Sequence, residues 1–467
     1  MLPAYTEFIK YTRLEMRNIM SKEKLLFSNK DLRSLIIPMI LEQMLAVLVG
    51  LSDTIMVANV GESAVAGVSL VDNVNVLLIG VFSALATGGA VVAGQYLGHK
   101  DERKACKAGD QLILFMAFFS LLIMALVYLA KSFILHVVFG RIEPDVMAYS
   151  DTYLMIVTAS IPFIALYNCG AALFRVQGNS LISMLVSILM NTINVAGNAI
   201  LIFGFHCSVE GVAIPTLVSR IVAAFVIILL LRKQSLTIHI SRPFRFSADW
   251  GMIKRILQIG IPNGVENSMF QLGKLVLLSL ISSFGTVAIT ANAVSNSVAA
   301  FAILPGQAIG MALVTVVSQC VGAGNYKQAR YYTKKLLYFT IAAMALTNLI
   351  IIVSLPAFTW AYQLSAETAK VTEQILLLHS ICAIVIWPLS FTLPNTLRAA
   401  SDAKYTMIVS LLSMWFCRIV LGFLLGKYMG MGVFGTWVAM IIDWCVRCFF
   451  FCGRYIRGKW EERKIVF

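Results

Sequence analysis

Charge is what this chain has least of. Only 13% of its 467 residues are Asp, Glu, Lys or Arg, against 59% apolar ones, which excludes a soluble multidomain protein. Regular alternation of apolar and polar residues is missing too, which excludes an outer-membrane barrel. Histidine is rare: His99, His136, His206, His239 and His379 are scattered over loops and helix ends. No nucleophile is spaced with a base, so an intramembrane enzyme lacks its parts. The nine Cys have no zinc or haem spacing. Cys445, Cys448 and Cys452 share a face of the last apolar segment, but no His accompanies them, so neither disulfides nor a metal centre nor a cofactor is expected. No cleavable signal peptide is expected either, because the first apolar run is too long for one. The segment up to about Met20 reads either as a mobile tail or as the product of an upstream start.

What is present is apolar sequence in spanning lengths, with a mean hydropathy of +0.84. Twelve segments can be marked, at roughly 34–58, 67–94, 109–130, 147–174, 180–204, 209–231, 256–283, 287–317, 336–357, 371–396, 405–426 and 431–452. The expected fold is an all-α integral membrane protein. The net charge of +14 could point to nucleic acid, but its distribution argues otherwise. Alternate loops, counted from the N-terminus, hold 29 of the 37 Lys and Arg, whereas the opposite loops hold only Lys131, Arg141, Lys370 and Lys427. That is the positive-inside bias, with both termini cytoplasmic in a multi-pass plasma-membrane protein.

The first span carries two carboxylates, Glu42 and Asp53, within PMILEQMLAVLVGLSDTIMVAN. Eleven residues at 100° each bring them to within about 20° of one another on one face, roughly 16 Å apart. Ionisable groups in a membrane mark an ion or substrate path or form a local ion pair, and both readings stand for this helix. The second span adds Asp72, Asn73, Asn75 and the small-residue run ATGGA from Ala86 to Ala90, which allows close helix approach. In the fifth span Asn191, Asn194 and Asn198 form a polar seam, and the sixth opens with Pro215 and Thr216. Their oxygens either coordinate a hard cation beside Asp53 or hydrogen-bond between helices. In the seventh, Glu266, Gln271 and Lys274 follow Pro262, and Lys274 needs a carboxylate or a cavity. Asp443 and Arg447, four apart, read as a structural pair, with Arg418 finding a carbonyl or acid of its own.

Sliding the sequence over itself by 224 residues puts Pro38 on Pro262, Glu42 on Glu266, Gln95 on Gln319 and Gly98 on Gly322. The chain is duplicated. Six spans per repeat is an even number, so the halves are related by a pseudo-twofold axis along the membrane normal. The expected organisation is a cytoplasmic tail (1–33), an N-terminal six-helix lobe (34–231), a basic cytoplasmic linker (232–255) containing Pro243, a C-terminal six-helix lobe (256–452) and a basic cytoplasmic tail (453–467).

PMILEQ and GLSDTIMV in the first span, QYLG and QCVG after the second and eighth, FRVQGN and LRAASD after the fourth and tenth, and NAILIFG in the fifth resemble the multidrug and toxic compound extrusion (MATE) family over roughly 30–455. The resemblance implies a two-lobed antiporter, expected as a monomer, that exports small, often cationic and amphipathic drug-like compounds against an inward flow of Na⁺ or H⁺. On it, Asp53 is the family's first-helix cation site, with Asn194, Asn198 and Thr216 as neighbours. Glu42, Asp72, Glu266, Gln271 and Lys274 would line the substrate cavity. One branch has a second Asp where this chain has Asn198; another uses C-terminal carboxylates where this chain has Gln271 and Trp387. The abundance of amide oxygens tilts the expectation towards Na⁺. A flippase for lipid-linked saccharides, using Lys274 and Arg220, is the alternative, and a non-transporting receptor a further one. The topology has a direct test: single cysteines placed in 97–107, 232–255 and 319–335 are expected to resist impermeant maleimide in intact cells and to react in inverted vesicles. Labelling of 232–255 from outside would reverse the orientation.

Overall fold

A computed structural model describes residues 25–140, 142–241 and 247–462. The expected mobile tail up to Met20, the tail residues 463–467, and the part of the linker around Pro243 lie outside the described residues.

Twelve long helical stretches run in order among the described residues, without a strand. They are α1 (Asn29–Ala58), α2 (Glu62–Gly98), α3 (Glu102–Leu129), the bent α4 (Pro144–Thr158 with Ile161–Val176), α5 (Ser180–Gly204) and α6 (Glu210–Leu231). Then follow α7 (Trp250–Ser282), α8 (Thr286–Gly322), α9 (Tyr326–Val353), α10 (Ala366–Ala399), α11 (Ala403–Tyr428) and α12 (Gly432–Ile456). Ten are long and apolar enough to cross a bilayer. An eleventh span is α4, whose halves meet at 48°, with Pro162 opening the second half. The remaining helix, α7, has 33 residues, about 50 Å at 1.5 Å per residue. It is long enough, but Asn263, Glu266, Asn267, Gln271 and Lys274 dilute its apolar character.

The largest departure from the expected boundaries is α9, which begins at Tyr326 rather than near 336. Asn325 accepts a hydrogen bond from the Gln328 N–H at 3.0 Å, and this N-cap starts the helix on basic residues that hydropathy passes over. Several helices also widen into π-helical turns, at Ile200–Gly204, Pro388–Thr392, Ser413–Val420 and Leu424–Tyr428.

The chain divides into two compact units. One comprises residues 38–93 and 102–272. Within it, Ile161–Val176 packs on α3 and α6, and α5 packs on α6. The small-residue run has the expected effect: a Cβ on Gly88 would lie 2.7 Å from the Gly260 nitrogen and the Ile256 oxygen, so α2 crosses α7 at backbone contact. Part of the linker is fastened to α3, where the Gln111 amide donates to the Ser247 carbonyl at 2.9 Å and accepts from the Asp249 N–H at 2.8 Å. Lys107 lies 2.5 Å from Asp249 and, with the Met252 N–H, holds that carboxyl below the usual carboxylate range.

The other unit comprises 273–467 together with 94–101 and the described part of 1–37. Its centre is α8, which is buried along most of its length against α9 and α10. Residues 26 and 27 are fixed to α9: the Leu26 N–H donates to Gln328 at 2.9 Å, the Phe27 N–H donates to the Tyr332 hydroxyl at 2.9 Å, and that hydroxyl donates back to the Phe27 carbonyl at 2.7 Å. The QYLG and QCVG motifs meet here. A Cβ on Gly98 would lie 2.0 Å from the Gln319 carbonyl oxygen, and one on Gly322 would lie 1.9 Å from that of Gln95. Equivalent residues of the two repeats thus touch reciprocally, as a local twofold requires. Gln95 also donates to the Ala399 carbonyl at 2.8 Å and to the Ser401 hydroxyl at 3.1 Å, so the first repeat's motif binds LRAASD of the second.

Gly98→Ala and Gly322→Ala are each expected to lower stability by about 1–3 kcal/mol or more, because the added methyl meets backbone that cannot swing away. Thermal unfolding of the detergent-solubilised protein measures this, and an unchanged midpoint would refute the close crossing.

Candidate functional site

Asp53 lies near the end of α1, half-buried. One carboxylate oxygen accepts a hydrogen bond from the Asn198 amide at 2.7 Å. The same Asn198 amide is 3.5 Å from the Asn194 carbonyl oxygen, and Asn194 in turn donates to the Thr216 hydroxyl at 3.0 Å. That hydroxyl donates to the Val212 carbonyl at 2.8 Å. The four residues singled out in sequence therefore form one hydrogen-bonded chain across α1, α5 and α6. Two local features allow it. Gly197 has no side chain, and a Cβ there would lie 2.7 Å from Pro215, so α5 and α6 can close upon each other. Directly after Asn198, the backbone of the NAILIFG motif becomes the π-helical turn Ile200–Gly204, a distortion frequent at functional sites.

The carbonyl oxygen of Asn198 is buried and has no hydrogen-bond partner among the described residues. A buried acceptor left over beside a carboxylate suits a cation or a protonated group. Asp53 and the oxygens of Asn194, Asn198 and Thr216 are the set that would hold a hard monovalent cation. Among the described residues no cluster of three His, Cys, Asp or Glu could hold a metal, and the nine cysteines are free thiols.

Asp72 on α2 accepts from the Tyr153 hydroxyl at 3.1 Å and from Asn75 at 3.4 Å. Asp72 and Arg220 are both within electrostatic reach of Asp53. Arg220 donates to the Ser160 hydroxyl at 2.7 Å, in the break of α4. Two acids, one guanidinium and a tyrosine thus share the interior of this unit. Tyr153 was not legible as a site residue, because a tyrosine in an apolar helix looks like packing. Arg220, invoked in sequence only for the flippase alternative, is committed here to Ser160 and the two acids.

Glu42 belongs to a different environment from Asp53. It is buried, and Arg175 of the FRVQGN motif lies 3.0 Å from its Oε1. Ser183 donates to Oε2 at 3.0 Å and the Tyr167 hydroxyl to Oε1 at 3.5 Å. Of the two readings the helix allowed, this geometry favours the local ion pair. The shared face is real, but the two acids end in separate networks.

Glu266 is also buried, Gln271 half-buried and Lys274 exposed. Lys274 is within electrostatic reach of Arg418. The expected pair of Asp443 and Arg447 is present, with Arg447 Nε 2.9 Å from Oδ1. Arg418 faces the same carboxylate, its Nη1 3.9 Å from Oδ2. Ser413 donates to Asp443, and Arg447 also donates to the Ser410 carbonyl at 3.2 Å. His379, placed near a helix end in sequence, lies well inside α10 and is buried.

The MatE family model matches the chain twice, over residues 38–200 and 262–424. Both ends of the second match lie 224 residues after those of the first (38 to 262, 200 to 424), the same offset as the internal repeat. The chain belongs to the MatE family. Its relatives include the uncharacterized transporter YisQ of Bacillus subtilis, 27% identical over 93% of this chain and 94% of that protein. A probable multidrug resistance protein NorM of Thermotoga maritima is 24% identical over 96% of this chain and 97% of that one. A crystal structure of MATE in complex with MaL6 has the same fold, with a TM-score of 0.86, 18% identity, and coverage of 93% of this chain and 97% of that one.

This MATE protein is therefore a multi-pass membrane transporter of a multidrug efflux family, not an enzyme. Its FRVQGN and PMILEQ motifs meet as the Arg175–Glu42 pair, QYLG and LRAASD as the Gln95–Ala399 bond. Breaking the first by Glu42→Gln leaves a guanidinium facing an uncharged amide in a buried place, which is expected to cost about 3–5 kcal/mol. Thermal unfolding checks it; loss of transport with unchanged stability would instead return Glu42 to the transport path.

Proposed function

We propose that this chain is a cation-coupled antiporter of the plasma membrane that exports small, cationic, amphipathic compounds by alternating access of two six-helix lobes, 34–231 and 256–452. The observation that carries the reading is the chain Asp53, Asn198, Asn194 and Thr216, together with the unpartnered side-chain oxygen of Asn198. Intramembrane carboxylates are costly and mark ion or substrate paths. Asp53 is bound by one amide only among the described residues, unlike Glu42, so it retains lone pairs for a ligand.

Antiport requires that occupation of Asp53 by the coupling ion and occupation by substrate exclude each other. A ligand shifts the equilibrium between inward- and outward-facing states only through its different affinity for them, and a carboxylate that trades one cation for another supplies that difference. Amide and hydroxyl oxygens grouped beside a carboxylate are ligands of the kind a hard cation takes, which supports Na⁺ as the coupling ion. Asp72 and Arg220 bracket Asp53 electrostatically, so the site's charge answers to both. The cytoplasmic placement of both termini completes the proposal.

Asp53→Asn keeps size and hydrogen bonding but removes the charge. Reconstituted at equal abundance, this variant is expected to lose ethidium efflux driven by an imposed Na⁺ or pH gradient, down to the leak of empty liposomes. Asn198→Asp supplies a second acid and is expected to shift the dependence of transport on pH or Na⁺. Unchanged gradient-driven efflux by Asp53→Asn would remove Asp53 from the mechanism.

A further inference from the structure

The spacing of Cys445, Cys448 and Cys452 on α12 suits neither zinc nor haem, but both of those demand more than a pair of thiols. Univalent copper does not: thiolates select it, and two or three sulfurs complete its coordination. Cys448 and Cys452 lie one turn apart, with their Sγ atoms 4.0 Å from each other. Two sulfurs at that separation reach a common ion at about 2.3 Å each, the length of a zinc–thiolate bond, when the angle at the ion is about 120°. That is the angle of a trigonal site whose third corner is open to a soluble thiol. Zinc would need two more protein ligands, and among the described residues no group of three His, Cys, Asp or Glu could hold a metal. Cys445, three residues before Cys448, is exposed and completes no such group.

The turn that carries the pair is held firmly. Phe451, which precedes Cys452, is fully buried and meets Tyr405 edge-on, with ring centroids 6.5 Å apart. Arg454, two residues after Cys452, lies 2.8 Å from Asp402 and over the Tyr405 ring at 4.7 Å. Tyr455 stacks on the buried Trp460 with centroids 5.7 Å apart, and that indole donates back to the Tyr455 carbonyl at 3.1 Å. A helix end fixed in this way presents its two sulfurs with little further ordering, which is the advantage of a preorganised site.

An ion can also reach them. Both thiols are half-buried, and Cys452 comes four residues before Ile456, where α12 ends. Four residues are about 6 Å along the axis, so an ion arriving at the helix end has one turn to pass. Arg454 and Arg457 follow Cys452 and place positive charge near a complex of one Cu⁺ and two thiolates, whose own net charge is negative.

We propose that Cys448 and Cys452 form a two-thiolate binding site for Cu(I). Each thiol gives up its proton as its sulfur–copper bond forms, so each ion bound releases two protons and no electron moves. The site goes beyond the efflux reading and does not depend on it, since Asp53 and its partners lie on α1, α5 and α6. A bound ion ties one turn of α12 to itself, and a ligand that binds the folded chain in preference to the unfolded one raises its stability.

The test is competition for copper by the purified full-length protein, kept reduced and free of oxygen, with Cu(I) supplied as its coloured bicinchoninate complex. Wild type is expected to withdraw one equivalent of Cu(I), seen as loss of the complex's absorbance, and to unfold at a higher temperature once loaded. Cys448→Ser and Cys452→Ser, each close in size to the native residue, are expected to lose both effects, whereas Cys445→Ser and Cys106→Ser retain them. Where a hydroxyl prevents folding, Cys448→Ala and Cys452→Ala make the same comparison. No withdrawal by wild type overturns the site. Withdrawal that persists in the variants of both Cys448 and Cys452 places copper on scattered thiols only and overturns it as well. Release of the bound Cu(I) by equimolar Zn²⁺ overturns the choice of metal.

Discussion

A carboxylate carried into an apolar helix must be met by donors, and the first helix of this protein carries two. Burial without partners would cost several kcal/mol for each, so the surrounding helices are arranged around answering them. Glu42 is answered completely, by a guanidinium and two hydroxyls from the fourth and fifth spans. Asp53 is answered sparingly, by one amide at 2.7 Å. The contrast separates a residue that holds helices together from one that is available to a ligand, although both come from the same helix and nearly the same face.

Duplication explains where the helices come closest. The reciprocal contact of Gly98 with the Gln319 carbonyl and of Gly322 with that of Gln95 has no room for a side chain on either copy. It is the contact expected when the same helix end occurs twice about a local twofold. Further glycines do related work at unpaired places: Gly88 admits α7, Gly197 admits Pro215, and Gly273 admits α11. Two of these approaches put the next residue near a polar group, Asn198 after Gly197 beside Asp53 and Lys274 after Gly273 within electrostatic reach of Arg418.

Much of this was legible beforehand, because a bilayer imposes lengths and hydropathy records them. The fifth span, expected at 180–204, is Ser180–Gly204. The start of α9 was not legible, since an Asn cap followed by basic turns has no apolar signal. The grouping of Asp53 with Asn194, Asn198 and Thr216 came from polar residues at helical spacing together with the family resemblance, and these side chains do bond to one another. Tyr153 and the role of Arg220 escaped because their partners, Asp72 and Ser160, lie far away in the chain and only folding brings them near. For Glu42, spacing gave the face correctly but could not reveal that Arg175, 133 positions later, would occupy it.

The division of the chain into units does not follow its duplication. Residues 94–101 and the stretch before 38 belong to the unit built mainly from the second repeat, where Phe27 is held by Tyr332 and Gln95 by Ala399. A chain cut in the linker would therefore yield a C-terminal fragment with the Tyr332 hydroxyl and the Ala399 carbonyl deprived of their partners. Neither fragment would be a finished domain. The two would have to be synthesised together and find each other in the same bilayer, so the repeat boundary is a seam in the gene and not a place where the folded molecule comes apart.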